Sequence, residues 1–365
     1  MTESVETFQP DWVSHPGETV ADLLDERGWS QVELAARTGF TRKHINELVA
    51  GKAPLSPETA LKLEATIGGT VRFWLAREAH YREGLLRKSS ELALSSQTDW
   101  LRELPVIDMV RFGWIKRAPT LGSQVGECLR FFGVATVDAW REKYMKPLAA
   151  FRSSQAVTKK VGAIAAWLRQ GEREATAAAC GAFDEARFRQ LLSSEIRKLT
   201  RESNPAVFVP RLLAMCAQTG VATVFVRAPK GCPAYGATRW VSSDRAILQL
   251  SLRYKTNDHL WFTFFHEAGH IVLHGRQLFI EGAGAIDNEH EDEADRFASD
   301  VLIPPEAAVR LPTIPRTNAA VSQFAASIGI PPGVVVGRMQ REKLLPWTHL
   351  NGLKVSYEWG STAEL

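Results

Sequence analysis

The stretch WFTFFHEAGHIVLHG, Trp261 to Gly275, sets three histidines and a glutamate into a run otherwise built of apolar side chains. On a helix, His266 and His270 fall on one face, roughly 6 Å apart, close enough for both imidazoles to reach one metal ion. Glu267 lies about 100° further round, beside the coordination position the imidazoles leave open, where a carboxylate can take a proton from water. Burying charge-capable groups without partners is costly. A shared metal ion would account for their presence in a segment built to be buried.

Two imidazoles and a base need a third ligand, and EHEDEADRFASDVLIP, Glu289 to Pro304, offers one. Glu291 and Asp295 stand four apart on one face of a predicted helix whose other face carries Ala294, Phe297, Ala298 and Val301. Glu291 would complete a His2Glu set with the fourth position open, the arrangement of catalytic zinc. Asp295 is then placed to accept a hydrogen bond from the free ring nitrogen of a ligand histidine. Glu289 and Glu293 compete as ligands by proximity in sequence; with Asp292 they read as a solvated charged face. His274 continues the four-residue series, but three consecutive turns cannot all converge on a tetrahedral ion, so it reads as structural or cleft-lining. His259 and His290 read as loop or surface histidines, and no oxyanion-stabilising residue can be assigned.

HEAGHIVLHG followed by EDEADRFASDVLIP resembles the ImmA/IrrE metallopeptidases, whose pattern is H-E-x-x-H and then E-x-x-A-[ND]-x-F-A-x-x-L-x-P. Ala294, Asp295, Phe297 and Ala298 match it in register, and Leu302 and Pro304 follow one place later than the pattern has them. The resemblance covers about Arg211 to Pro304 and extends to VSQFAASIGIPPGVVVGRMQ beyond it. It implies zinc, with manganese an alternative, on His266, His270 and Glu291, with Glu267 as general base, and cleavage of a peptide bond in a regulatory protein. A metal site kept for sensing or docking without turnover is the alternative reading of the same residues.

At the other end, SQVELAARTGFTRKHINELVAGK, Ser30 to Lys52, lays out a helix, a turn at Gly39 and a second helix that opens with polar and basic residues. Ser30 with Glu33 reads as a capping box, Thr41 as the cap of the second helix, and Ser56 with Pro57 as the start of another. Five short helices to about residue 80 make a compact bundle, the last of them TVRFWLARE. The segment resembles Cro/repressor (XRE) domains and, with its flanks HPGETVADLLDERG and PLSPETALKLEATIGG, HigA-type antitoxins. The resemblance implies a double-stranded DNA operator as partner and a homodimer. It makes Arg42, Lys43 and His44 candidate base readers, and Gln31, Thr41, Asn46 and Lys52 candidate phosphate contacts. The bland alternative is a protein-interaction module.

The chain has 365 residues, long enough for two or three cores. Its 45% hydrophobic and 23% charged content is that of a globular protein. Neither a basic-then-apolar leader at MTESVETFQPDW nor an eighteen-residue apolar run is present, so the expectation is a cytoplasmic protein. The four cysteines lack C-x-x-C spacing, which argues against a zinc ribbon or a disulfide frame. Lys and Arg against Asp and Glu give 8 to 12 over residues 1–80, 20 to 13 over 81–200, and 16 to 16 beyond. The first segment is therefore net negative, which limits non-specific DNA affinity.

Residues 81–205 read as a helical connector rich in Ala, Leu, Arg and Glu, and VATVFVR and AILQLS as strands beyond it. The whole reads as α+β and predominantly helical. Residues 1–80 form a five-helix helix–turn–helix domain. Residues 206–365 form a zincin-like domain, with a small sheet packed on the H-E-x-x-H helix, and a C-terminal extension. The expected function is transcriptional regulation of the repressor or toxin–antitoxin type, coupled to metal-dependent proteolysis, with a toxin or other protein as a further partner.

Overall fold

The computed structural model describes residues 13–146, 158–281 and 288–360, so the leader reading at residues 1–12 lies outside it. The chain divides into two compact units, Met1–Ser96 and Gln97–Leu365. No single described helix is long and apolar enough to cross a membrane.

In the first unit, helices α1 (Pro16–Arg27), α2 (Gln31–Thr38), α3 (Arg42–Val49), α4 (Pro57–Ile67) and α5 (Val71–Ser95) close over one core. Val20, Leu24, Leu34, Ile45, Leu48, Leu63 and Trp74 are buried there. Capping residues set the helix starts: Thr41 Oγ1 accepts from the His44 N–H at 3.1 Å and Ser56 Oγ from the Thr59 N–H at 3.2 Å. Ser30 Oγ accepts from the Glu33 N–H at 3.2 Å, but the Glu33 carboxylate turns to Arg37 at 2.7 Å. The expected capping box is thus half made, because a charged partner one turn away competes for the same carboxylate. The fifth helix is far longer than TVRFWLARE, running 25 residues through position 80. REGLLRKSSELALS holds no proline, the helix runs on through Gly84, and the pairs Glu78–Arg82 and Glu83–Arg87 brace it.

The second unit holds α6 (Leu121–Phe132), α7 (Thr158–Ala177) and α8 (Pro205–Ala217) ahead of a four-stranded sheet. The strands are β1 (Val221–Phe225), β2 (Gly236–Ser242), β3 (Arg245–Leu250) and β4 (Phe279–Ile280), in the order β1-β3-β2-β4. β1 runs parallel to β3, with Val221 opposite Ala246; β2 runs antiparallel to both β3 and β4. The strands read at VATVFVR and AILQLS are β1 and β3. β2, with its ATRWV alternation, went unread.

Part of the stretch read as connector packs directly on the sheet. Gln249 on β3 donates to the Trp167 carbonyl at 2.7 Å, and Trp167 Nε1 donates to the Val226 carbonyl at 2.9 Å. Gly171 permits this approach, since a Cβ there would lie 1.9 Å from the Gln249 side chain.

Helices α9 (Asn257–Leu273), α10 (Asn288–Leu302), α11 (Asn318–Ile328) and α12 (Pro332–Arg341) complete the unit. α9 lies in the middle, packed on α10 and α12 and on β2 and β3. Its apolar residues Trp261, Phe264, Phe265 and Ala268 are wholly buried. Burying each large side chain there contributes about 1.5–3 kcal/mol. The fold is α+β and mostly helical with one small mixed sheet, as expected.

Candidate metal centre and nucleic-acid surface

α9 carries His266 and His270 at 1% exposure each and Glu267 at 0%. α10 brings Glu291 against them because the two helices meet at small residues: a Cβ on Gly269 would stand 3.1 Å from Phe297 and 3.3 Å from the Ala294 Cα. Nε2 of His266 lies 3.0 Å from Nε2 of His270, and the Glu291 carboxylate reaches 3.2 Å from the first and 3.6 Å from the second. Among the described residues, His266, His270 and Glu291 form one of two groups that can hold a metal ion; the other is His266, Glu267 and Glu281.

The outer contacts assign the ring protons. His266 Nδ1 lies 2.9 Å from Asp295 Oδ1, and a carboxylate that also takes Arg341 accepts rather than donates, so His266 carries its proton on Nδ1. His274 Nε2 donates to Glu293 at 2.9 Å, which makes its Nδ1 an acceptor; His270 Nδ1, 2.9 Å away, must then donate. Both Nε2 atoms are thereby left as lone pairs facing each other and a carboxylate. With both rings neutral, three acceptors converge with no donor among them; a proton on His266 serves them in the ion-free protein, and a zinc-class ion suits the same two imidazoles and carboxylate. The donor set fits.

Electrostatics in the ion-free protein follow the same geometry. Burial opposes charge on His266, but hydrogen bonds to Asp295 and Glu291 outweigh it and hold the imidazole well above its usual pKa. Burial, with the neighbouring imidazoles, pushes His270 down to about 2. Burial raises Glu267 to about 8; Glu281 adds repulsion, while His266 and Thr238 act the other way. Thr238 Oγ1 donates to Glu267 Oε2 at 2.7 Å, and among the described residues Glu267 Oε1 has no partner. Gly236 lets β2 close over this carboxylate, since a Cβ there would lie 2.5 Å from Oε1.

The remaining expectations divide. Asp295 sits where it was read, on His266. His274 stays out of the ligand group and holds His270. Glu293, read as part of a solvated face, is half-exposed yet is the acceptor for His274, because the antiparallel helices bring that turn of α10 beside the end of α9. His290 is no loose surface group: its ring packs 4.4 Å from that of His274. His259 is half-buried on the first turn of α9. Thr238, Glu281 and Arg341 were missed, since each comes from an element remote in sequence; only the alternation around Thr238 carried any signal.

On the bundle, α3 presents Arg42, Lys43 and Asn46 to solvent, with Thr41 exposed at its cap and Lys52 exposed just beyond. Gln31 and His44 are half-exposed, and the His44 ring packs 4.6 Å from Phe40. Ile45 and Leu48 face the core, so the polar residues occupy the opposite face.

Residues 20–74 match the helix-turn-helix family model, and residues 224–339 match that of the IrrE N-terminal-like domain. Over 60 residues the chain is 37% identical to YddM, an uncharacterized HTH-type transcriptional regulator of Escherichia coli (strain K12). That alignment covers 16% of this chain and 64% of the relative, just short of two thirds of its length. An addiction module antidote protein of the HigA family from Coxiella burnetii is 25% identical over 23% of this chain and 92% of that one, with a TM-score of 0.22. The chain therefore joins, in one polypeptide, a segment similar to XRE-type helix–turn–helix domains and a segment similar to the IrrE N-terminal-like domain of the M78 peptidases.

Proposed function

We propose that this protein is a DNA-binding transcriptional regulator whose M78 domain is a metal-dependent endopeptidase acting on a regulatory protein. The observation that carries the enzymatic half is the pairing of an acceptor-only cluster, His266, His270 and Glu291, with a buried carboxylate oxygen of Glu267 that has no described partner. When bound, a zinc-class cation polarises a carbonyl and acidifies water. Glu267 takes and returns the proton at Oε1, while Thr238 holds Oε2 and so fixes the carboxylate's direction. Asp295 and His274 keep the two imidazoles in the tautomers that leave Nε2 free.

The DNA-binding half rests on the exposed polar face of α3, with Arg42, Lys43 and His44 as base readers and Gln31, Thr41, Asn46 and Lys52 at phosphates. A net-negative segment gains DNA affinity by pairing its basic patches, so the binding form is a homodimer on a two-fold operator. The proposed division is residues 1–80 as reader, 81–205 as connector and 206–365 as the metallopeptidase part, with a toxin or other regulatory protein as substrate or partner.

The test is Glu267→Gln. It leaves the ligands in place and removes the base, so the variant should bind zinc as the parent does. New N-termini generated in a cell lysate should fall by about 10²–10⁴ in rate. Equal processing by parent and variant would assign the domain to sensing or docking.

A further inference from the structure

Glu281 belongs to the second of the two ligand groups, and its backbone is fixed on β2. The Glu281 N–H donates to the Gly236 carbonyl at 3.1 Å, and the Glu281 carbonyl accepts from the Tyr235 N–H at 3.0 Å. This pairing sets the carboxylate over α9, where Thr263 hydrogen-bonds it. A ligand atom of each of His266, Glu267 and Glu281 lies within 4.8 Å of the other two. Two oxygens of the group are unserved: Oε1 of Glu267 and Oε2 of Glu281 are buried, and among the described residues neither has a hydrogen-bond partner.

Whatever serves these oxygens is small and lies between the three side chains, since neither oxygen meets solvent. Two carboxylates this close repel each other where water is excluded, and each buried acceptor calls for a donor or a cation. One water molecule offers two donors to three acceptors and brings no charge. The proton that His266 carries in the ion-free protein faces Glu291, 3.2 Å from Nε2, and serves neither oxygen. A divalent cation answers all three.

His266 brings the same lone pair to both ligand groups, because its Nδ1 is committed to Asp295 at 2.9 Å. One lone pair serves one ion, so the two positions exclude each other. They also differ in chemistry. Two imidazoles with one carboxylate suit zinc, whereas one imidazole with two carboxylates suits a harder ion such as manganese.

We propose that His266, Glu267 and Glu281 form a second cation site, of the manganese class, that competes with the zinc position for His266. The competition rests on the zinc assignment to His266, His270 and Glu291 made above. An ion in the second site makes the Glu267 carboxylate a ligand and withdraws it as a base, so the identity of the ion decides whether a free base stands beside it.

The experiment loads the metal-free full chain with manganese alone or with zinc alone. Affinities are read by calorimetry, and the ligands of manganese by pulsed electron paramagnetic resonance. Manganese should show one coordinated imidazole nitrogen. Glu281→Gln should weaken manganese binding by about 10- to 100-fold, because one ligand charge is lost, and leave zinc affinity at the parent's level. His270→Ala should abolish zinc binding and spare manganese. Two imidazole nitrogens on manganese, no manganese bound, or equal manganese affinity in the parent and Glu281→Gln would each overturn the proposal. Zinc binding that survives His270→Ala would instead sink the zinc assignment, and the competition with it, while the nitrogen count still reports the manganese site. Should Glu281→Gln fail to fold, the nitrogen count on the unaltered chain decides alone.

Discussion

The helix–turn–helix face and the candidate metal cluster place polar groups in opposite surroundings. On α3, Arg42, Lys43 and Asn46 stand in water, each positioned by its own helix, and removing one leaves nothing unsatisfied behind it. On α9, His266, Glu267 and His270 are out of water, and each depends on a further side chain: Asp295 of α10, Thr238 of β2, and His274 at the end of α9, itself held by Glu293 of α10. A solvated cation costs little to hold but its contacts are screened; a buried ligand costs much to hold but its contacts are worth more. Substitutions on the first surface should therefore act singly and modestly, and those in the second cooperatively and strongly.

The double variant His266→Ala, His270→Ala tests this contrast most severely. Elemental analysis should find about one equivalent of zinc in the parent and none in the variant, while operator binding stays at the parent's level. Metal in both, or in neither after zinc is supplied, would break the assignment of the cluster. Next come the outer partners. Asp295→Asn and Glu293→Gln should each weaken zinc binding by about 10- to 100-fold in a chelator competition, since each loosens one imidazole without removing a ligand. Equal affinity in the parent and both variants would mean that the imidazoles orient themselves.

On the exposed side, Arg42→Ala with Lys43→Ala should cost about 1–3 kcal/mol of operator affinity and relax sequence preference, read by gel shift against a panel of sites. Lys52→Ala should act evenly on all sequences and lower the salt slope of binding by about 1. A uniform effect of the first pair would reassign it to phosphate contact.

The smallest effect concerns the thiols, where burial alone separates two behaviours. It pushes Cys128, Cys216 and Cys232 up to about 12, and raises the half-buried Cys180 as well. In the folded protein at pH 8, a thiol-specific reagent should label Cys180 first and leave the other three for unfolding to expose. Mass spectrometry of the labelled peptides reads the order directly.

Much of this molecule was legible from local pattern. The caps Thr41 and Ser56, the glycine stops and the apolar spacing mark out the bundle, because those signals act within one helical turn. His266, Glu267 and His270 on one helix, and Glu291 four before Asp295 on another, are legible for the same reason. The length of α5 was not, since a helix that meets no breaker continues past any boundary drawn from resemblance. Nor was the role of α7: a segment rich in Ala, Leu and Arg reads as a connector until Gln249 and Gly171 show what it packs against.

The sequence by itself determined which groups are available: two imidazoles and two carboxylates at helical spacing, and a helix face of polar and basic residues. Tertiary structure alone decided which groups hold those residues. Thr238, Glu281, Glu293 and Arg341 join the site from β2, from beyond β4, from α10 and from α12, and their selection required α9 to be buried on several sides at once. Residues far apart in the chain become partners only when packing removes water from between them, and no local pattern records which of many carboxylates and hydroxyls will be brought there.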